Sequence, residues 1–290
     1  MSYEQRSLEF IFSMDGGQFD GNGTDEIRIT NVKSVVRLGA YLGLEGLTGE
    51  LSLFGLSLEL MAMLSAKGLG VFTNRSDRFR VKIKYKEGIV FQGGIVSAWA
   101  DMNAAPEPVL NLQAVAALDA MKMASQAYSQ PGIVKIADML TAIASTSGIG
   151  LALNDIGDIT SRPNPHYEGS PYEQLTRICF AYDLNFYFDE KNTFNVWLKK
   201  RNGISPLISK ENGLIGYPVF VQSGILFNAF YSPMLSAGRE VQLITDLPNA
   251  TGTYMLTSVN HALSAWVPGG QWQSVCQGIR KDNINVRQST

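Results

Sequence analysis

Two acidic pairs, two histidines and one densely basic segment are the residues of this chain whose types and spacing could do chemistry. Asp155 with Asp158, and Asp189 with Glu190, have the composition of the acid pair that a glycan hydrolase uses. Both pairs fall among turn signals, where acidic residues are common for backbone reasons. His166-Tyr167-Glu168 sets an imidazole beside a carboxylate, but next to Pro163 and Pro165, and reads as an exposed loop rather than a general base. His261 alternates within a strand pattern and reads as a hydrogen-bonded structural residue. Gly21-Asn22-Gly23 opens a phosphate-loop pattern that Glu26 breaks where the third glycine is needed, so a hairpin loop is the better reading. No HExxH, paired CxxC, GxxxxGK[ST] or GxSxG occurs. Cys179 and Cys276 stand far apart with no second cysteine at metal-ligand spacing, and both are expected as reduced core thiols. The chain therefore reads as having no catalytic, cofactor-binding or metal-binding residues.

The basic segment runs Arg78-Phe79-Arg80-Val81-Lys82-Ile83-Lys84-Tyr85-Lys86. Alternation along a strand puts Arg78, Arg80, Lys82, Lys84 and Lys86 on one face and the four apolar residues on the other. Such a strip is either a solvated face or an assembly interface that meets an acidic neighbour or lines a channel. The second reading is the one carried forward as the candidate site.

At 290 residues the chain has room for two or three compact units. Twenty-four basic residues against twenty-six acidic ones argue against a protein that lives by gripping nucleic acid. The N-terminus MSYEQRSLEF lacks a secretory signal, and no apolar run is long enough to cross a bilayer, so folding in a reducing cytoplasm is expected.

Period-two patterns dominate residues 1–119, with Leu8, Phe10 and Phe12, then Leu47, Leu51 and Leu53, then Ile89, Phe91, Ile95 and Trp99, and then Val109 to Val115. A phase change between Ile27 and Leu38 reads as a β-bulge, and Leu56 to Ser65 as one short helix. A curled sheet or barrel is expected from this mixture. Residues 120–201 change period. Ile133 to Ile143 fit a helix, Gly148 to Leu153 a strand, and Ser170-Pro171-Tyr172-Glu173 is a strong helix start with its N-cap serine, proline at the first position and glutamate three residues after the cap. An offset of thirty-five residues superposes Leu140, Thr141 and Ile143 on Leu175, Thr176 and Ile178, which makes two helix-strand units in tandem. Residues 202–290 return to strands. Gly213, Gly216 and Pro218 precede a strand, Gly224 releases Ile225, Phe227 and Ala229 onto one face, and Gly238 ends a crossover before Val241 and Leu243. Tyr254 to Ile279 close the chain as a hairpin around Pro268-Gly269-Gly270.

The stretch from Asn212 to Thr245, the closing hairpin with His261, Gly269-Gly270 and Trp272, and the helix-strand pair followed by SPYEQL together resemble the central baseplate hub proteins of contractile-tailed phages. That resemblance implies a β-rich α+β fold: two tail-tube-like β-barrel domains, 1–119 and 202–290, flanking a small α/β module, 120–201. It also implies a structural role without enzymatic activity. The chain would be a homotrimer whose ring of pseudo-sixfold symmetry connects a hexameric tail tube to a separate trimeric spike and encloses the DNA channel, with DNA only in transit and no membrane anchor. Its other partners would be the tape-measure protein and the baseplate wedge or sheath-initiator proteins, and its place the virion, after assembly in the host cytoplasm. Two rival readings are a tail-associated cell-wall (peptidoglycan) hydrolase and a monomeric carbohydrate-binding β protein.

Overall fold

The computed structural model describes residues 6–15, 19, 23, 25–44, 46–68, 78–103 and 107–281. Gly21 and Asn22 of the loop pattern noted above lie outside the described residues. The chain divides into two compact units, one of residues 1–39, 47–118 and 261–272, the other of residues 40–46, 119–260 and 273–290.

The first unit is built on β1 (Glu9–Asp15), β2 (Glu26–Ile29), β3 (Ser34–Tyr41, as far as Gly39), β4 (Gly46–Phe54, from Leu47), α1 (Leu58–Gly68), β5 (Arg78–Tyr85), β6 (Gly88–Asp101) and β7 (Val109–Val115). Its strands run in the spatial order β3-β4-β7-β6-β5-β1-β2. Alternation decides the buried face: Phe10, Phe12, Val36, Leu38, Leu51, Leu53, Val81, Ile83, Phe91, Leu110 and Leu112 are all buried, together with Met61 and Leu64 of α1. The slip between Ile27 and Leu38 is a turn rather than a bulge. Asn31 takes the left-handed conformation at φ 54° and separates β2 from β3, which shifts the phase by one residue as a bulge would. Register shifts of the bulge kind occur instead at Ile83/Lys84 and Ile95/Ser97. Helix α1 starts at Leu58 because the Ser57 hydroxyl accepts the Leu60 N–H at 3.2 Å, an N-cap the apolar periodicity does not reveal.

The second unit contains α2 (Leu118–Lys122, all but its first residue), β8 (Tyr128–Ser129), α3 (Ile136–Thr146), β9 (Gly150–Asn154), β10 (His166–Tyr167), α4 (Pro171–Ala181), β11 (Asn185–Phe188) and β12 (Thr193–Trp197). The tandem pair seen in the sequence forms the small three-stranded sheet β11-β12-β9: β9 runs parallel and β11 antiparallel to the shared neighbour β12. Leu140, Leu175 and Ile178 are fully buried between the helices and this sheet, while Phe186 and Phe188 stack on Phe194 at 5.6 Å each. The α4 start closes the expected capping box, with Glu173 N–H donating to Ser170 Oγ at 3.3 Å and Ser170 N–H to Glu173 Oε2 at 2.9 Å.

The same unit continues with β13 (Leu207–Ile208), β14 (Leu214–Val221), β15 (Gly224–Phe230), β16 (Glu240–Leu243), β17 (Gly252–Ala265, as far as Asn260) and β18 (Trp272–Arg280, from Gln273). The order is β14-β15-β18-β17, with β16 also on β17 and β13 on β16. Ile225, Phe227, Ala229, Val241 and Leu243 are buried, as their alternation requires. The expected barrels do not form. No sheet among the described residues closes on itself, because the order of the first unit ends at four-residue β2 and that of the second at β14, with no further strand paired to either.

Gly224 is fixed by two constraints at once: φ is +132°, and a Cβ there would stand 2.1 Å from the Gly278 carbonyl oxygen across the β15–β18 ladder. Gly224→Ala is expected to cost about 3 kcal/mol, read as a fall in the urea midpoint with unchanged slope. An unchanged midpoint would mean that the ladder can shift at no cost.

Candidate assembly surfaces

The basic strip sits in the middle of a sheet. β5 lies between β1 and β6, with Arg80 opposite Ser13 and Gly94, Lys82 opposite Ile11 and Gln92, and Lys84 opposite Glu9 and Ile89. Arg80, Lys82 and Lys84 are partly exposed on the outer face, while Phe79, Val81 and Ile83 are buried on the other. Arg78 belongs to β5, where its backbone pairs with Asp15. Lys86 leaves the alternation. It occupies the β5–β6 turn at φ 53°, with its ammonium 5.4 Å from the centre of the Tyr85 ring. Tyr85 in turn packs on Trp272 at 4.9 Å, and the Arg6 guanidinium covers Trp272 at 5.3 Å. This cation-aromatic stack, Arg6-Trp272-Tyr85-Lys86, gives Trp272 of the closing hairpin a place in the first unit. The outer face is not purely basic: Glu9, opposite Lys84, pairs with Arg28 at 3.1 Å, and Arg28 also reaches Glu26 at 3.1 Å.

Asp158, Glu168 and Asp189 each have a local partner. Asp158 pairs with Lys135 at 2.7 Å, and that hydrogen bond and charge keep its carboxyl below the ordinary range. Glu168 pairs with His166 at 2.9 Å and is lowered by it in the same way. Asp189 begins the β11–β12 turn, accepting the Lys191 and Thr193 N–H groups at 3.0 Å each and the Asn195 amide at 2.9 Å.

Beside Asp189 lies a residue the sequence reading missed. Arg201, in the basic-looking run Lys199-Lys200-Arg201, is buried. Its guanidinium donates to Ser236 Oγ at 2.9 Å and to the Ala237 carbonyl at 2.7 Å, approaches Asp189 at 3.7 Å, and lies 5.1 Å over the Tyr187 ring. Burial and the neighbouring Arg239 charge both work against this guanidinium, and the charge of Asp189 and the hydrogen-bond acceptors around it offset them in part. Arg201 fastens the crossover after β15 to the β11–β12 hairpin, next to Gly238, where a Cβ would stand 2.4 Å from the Trp197 ring. These partners are twelve to thirty-six residues from Arg201, so no local pattern could have shown it. Cys179 and Cys276 are free and buried, and burial pushes the Cys276 thiol up to about 12, which leaves it unreactive at neutral pH. Among the described residues no three His, Cys, Asp or Glu side chains gather as a metal cluster, and no helix is long and apolar enough to cross a membrane.

The second surface is β14. Tyr217, Val219, Phe220 and, on the adjoining β15, Phe230 are 69%, 56%, 53% and 62% exposed.

No family model matches the chain, and no curated protein matches it. Its fold does match solved structures along nearly its whole length. A 43 kDa tail protein from prophage MuSo2 of Shewanella oneidensis aligns with TM-score 0.62 and 10% identity over 95% of this chain and 98% of that one. The fold is that of phage tail proteins. The tail protein of Neisseria meningitidis MC58 aligns with TM-score 0.61 and 10% identity over 93% and 96% of the two chains. The E. coli c3393 protein aligns with TM-score 0.60 and 11% identity over 93% of this chain and 76% of that one; it is a component of the type VI secretion system with structural similarity to the T4 tail proteins gp27 and gp5. The likeness to hub proteins read in the sequence thus falls within the fold these neighbours share.

Glu190 provides a pH test of the buried hairpin. Burial, and then the charge of Asp189, push its carboxyl above the ordinary 4.5. A carboxyl with a raised folded-state pKa destabilises the fold as pH climbs from the unfolded value to the folded one, and fully above it. Glu190→Gln should therefore raise the unfolding midpoint at pH 7 and leave it unchanged near pH 4. Equal midpoints at pH 7 would show the carboxylate to be solvated.

Proposed function

We propose that the chain is the structural baseplate hub of a contractile phage tail or a related injection machine, a homotrimer that joins the tail tube to a trimeric spike around a DNA channel. The observation that carries this reading is end-to-end likeness to a prophage tail protein, with 95% of this chain on 98% of the other, joined to the type VI component whose own likeness is to gp27 and gp5. Residues 1–119 and 202–290 would be the two tube-like β domains, as open curled sheets, and 120–201 the module between them. Two such domains in each of three chains present six similar surfaces to a hexameric tube and three to a spike. The tape-measure, wedge or sheath-initiator proteins would be further neighbours, DNA would meet the chain only in transit, and the hub would reach the virion after assembly in the host cytoplasm. A peptidoglycan hydrolase finds less support. Asp158 and Glu168 are lowered by exposed ion pairs, and Asp189 already accepts three hydrogen bonds within its own hairpin.

Averaged electron micrographs of the purified chain mixed with its spike should show a threefold ring with a central channel. A chain that stays monomeric with the spike present, at concentrations well above micromolar, would refute the trimer.

The strip Arg80, Lys82 and Lys84 would then be an assembly surface, with Arg78 at its start and Lys86 bordering it from the turn. Reversing Lys84 also sets a glutamate opposite Glu9 inside the sheet, so Lys82, which faces Ile11 and Gln92, is the cleaner site. Lys82→Glu should leave the melting temperature within about 2 °C of the original and weaken ring or tube attachment, more so at low salt where repulsion is least screened. Attachment unaltered at every salt concentration would make the strip a solubilising face.

A further inference from the structure

The β14 edge combines three properties that an isolated protein surface seldom has together. First, β14 ends its sheet: among the described residues it pairs with β15 and with no other strand, so the backbone groups along its outer side face outward. Second, the exposed apolar residues lie on both faces of the strand. Val219 and Phe220 are neighbours in sequence and so point to opposite sides, yet each is more than half exposed, as is Tyr217. A helix laid against the sheet would cover one side only. What covers both is another strand continuing the sheet with its own side chains above and below. Third, there is no charge: from Gly213 to Gly238 no Asp, Glu, Lys or Arg occurs. Natural edges are guarded by charge, brevity or bulges, and β2 shows the usual guard, being four residues long and carrying Glu26 and Arg28 in ion pairs. β14 has eight residues, and its one register shift, between Ile215 and Val219, spans Gly216 at φ 67° and Pro218 and leaves Val219 to Val221 in regular pairing with β15.

We infer that β14 is covered by a strand edge of a second copy of this chain. Charge matching selects that occupant. A charged strand would lose solvent against this hairpin with nothing to pair with, whereas a second copy brings charge-free edges of its own. One is β14. The other is β9, an end strand of its sheet, which lies in the charge-free run Met139 to Asn154 and keeps Leu151, Ala152 and Leu153 all partly exposed. Pairing of β14 with β14 closes as a dimer. Pairing of β14 with the next copy's β9 is head-to-tail and can close as a ring. The inference deepens the homotrimer reading and rests on it only for the number of copies, since that reading requires the head-to-tail form.

Light scattering on a sizing column at about 100 µM chain, comparing the original with Val219→Lys and with Phe220→Ser, tests it. Both positions are exposed, so circular dichroism and the melting temperature should stay close to the original, and the two variants alter opposite faces of the strand. The expected result is an oligomer for the original chain and an apparent association constant at least tenfold weaker for each folded variant. A trimer lost on substitution supports both the inference and the trimer reading. A dimer lost on substitution supports the inference and sinks the trimer. An oligomer that both folded variants retain overturns the inference and leaves the trimer standing, and a monomeric original chain overturns it too, by giving the edge to a different protein.

Discussion

Every strand must find a hydrogen-bonding neighbour on each side or a reason not to need one, and much of this structure follows from how that demand is met. Within the first unit the central strands β7, β6, β5 and β1 have partners on both sides, and the sheet ends at β2, which is short and locked by Arg28 between Glu9 and Glu26. The second unit sets β9, β11 and β12 in a small sheet backed by two helices, with both sides of β12 paired and β9 and β11 as end strands. At β14 the demand is left unmet. An exposed apolar edge with neither charge nor brevity to guard it is a liability for a lone molecule and an asset for one whose place is in an assembly.

Burying Arg201 is costly, and the structure offsets that cost by surrounding the guanidinium with a carbonyl, a hydroxyl, a carboxylate and an aromatic face. Ser236 and Ala237 belong to the connection between β15 and β16, two strands of one sheet that are not neighbours, while Asp189 and Tyr187 belong to the hairpin of another. A long connection in such a place would otherwise have little to fix it. The arginine turns it into a defined piece of structure, and Gly238 lets the backbone approach the Trp197 ring closely enough for that to happen.

Features set by neighbours in sequence were legible, and features set by neighbours in space were not. The capping box at Ser170 and Glu173, the buried alternation of Ile225, Phe227 and Ala229, and the tandem Leu140/Leu175 pair all follow from local periods and caps, and all appear in the fold. The phase change between Ile27 and Leu38 reads as a bulge in sequence because a left-handed turn residue such as Asn31 shifts the phase equally. Alternation alone puts Lys86 on the strand face, because the two-residue turn Lys86-Glu87 holds no glycine or asparagine and Gly88 comes only after it. Barrel closure depends on whether the first and last strands of a sheet meet, which no stretch of sequence encodes. Arg201 looks like one more basic residue in a surface run until its partners arrive from other elements. For β14 a signal did exist. The absence of charge across Gly213 to Gly238 was available in the sequence, though alternation alone could not tell an edge strand from a central one.

Tail proteins that share this fold at about one residue in ten cannot depend on particular side chains to specify it. What such chains can share is pattern: apolar residues at every second position of a strand, short helices with an apolar stripe, and turn residues where the chain reverses. Surface character is not bound by that pattern and must be read for each chain separately. Here it differs sharply between two sheet faces. The outer face of β1, β2 and β5 carries Glu9, Glu26, Arg28, Arg80, Lys82 and Lys84, charges whose mutual pairing depends on salt and geometry. The outer side of the β14–β15 hairpin carries none. Contacts made through the first can be formed and released with modest change, because exposed ion pairs are individually weak. Contacts made through the second remove apolar area and backbone groups from water together, and are correspondingly hard to undo. In the hub reading proposed above, a chain that held its own ring firmly while docking other proteins would have use for one surface of each kind.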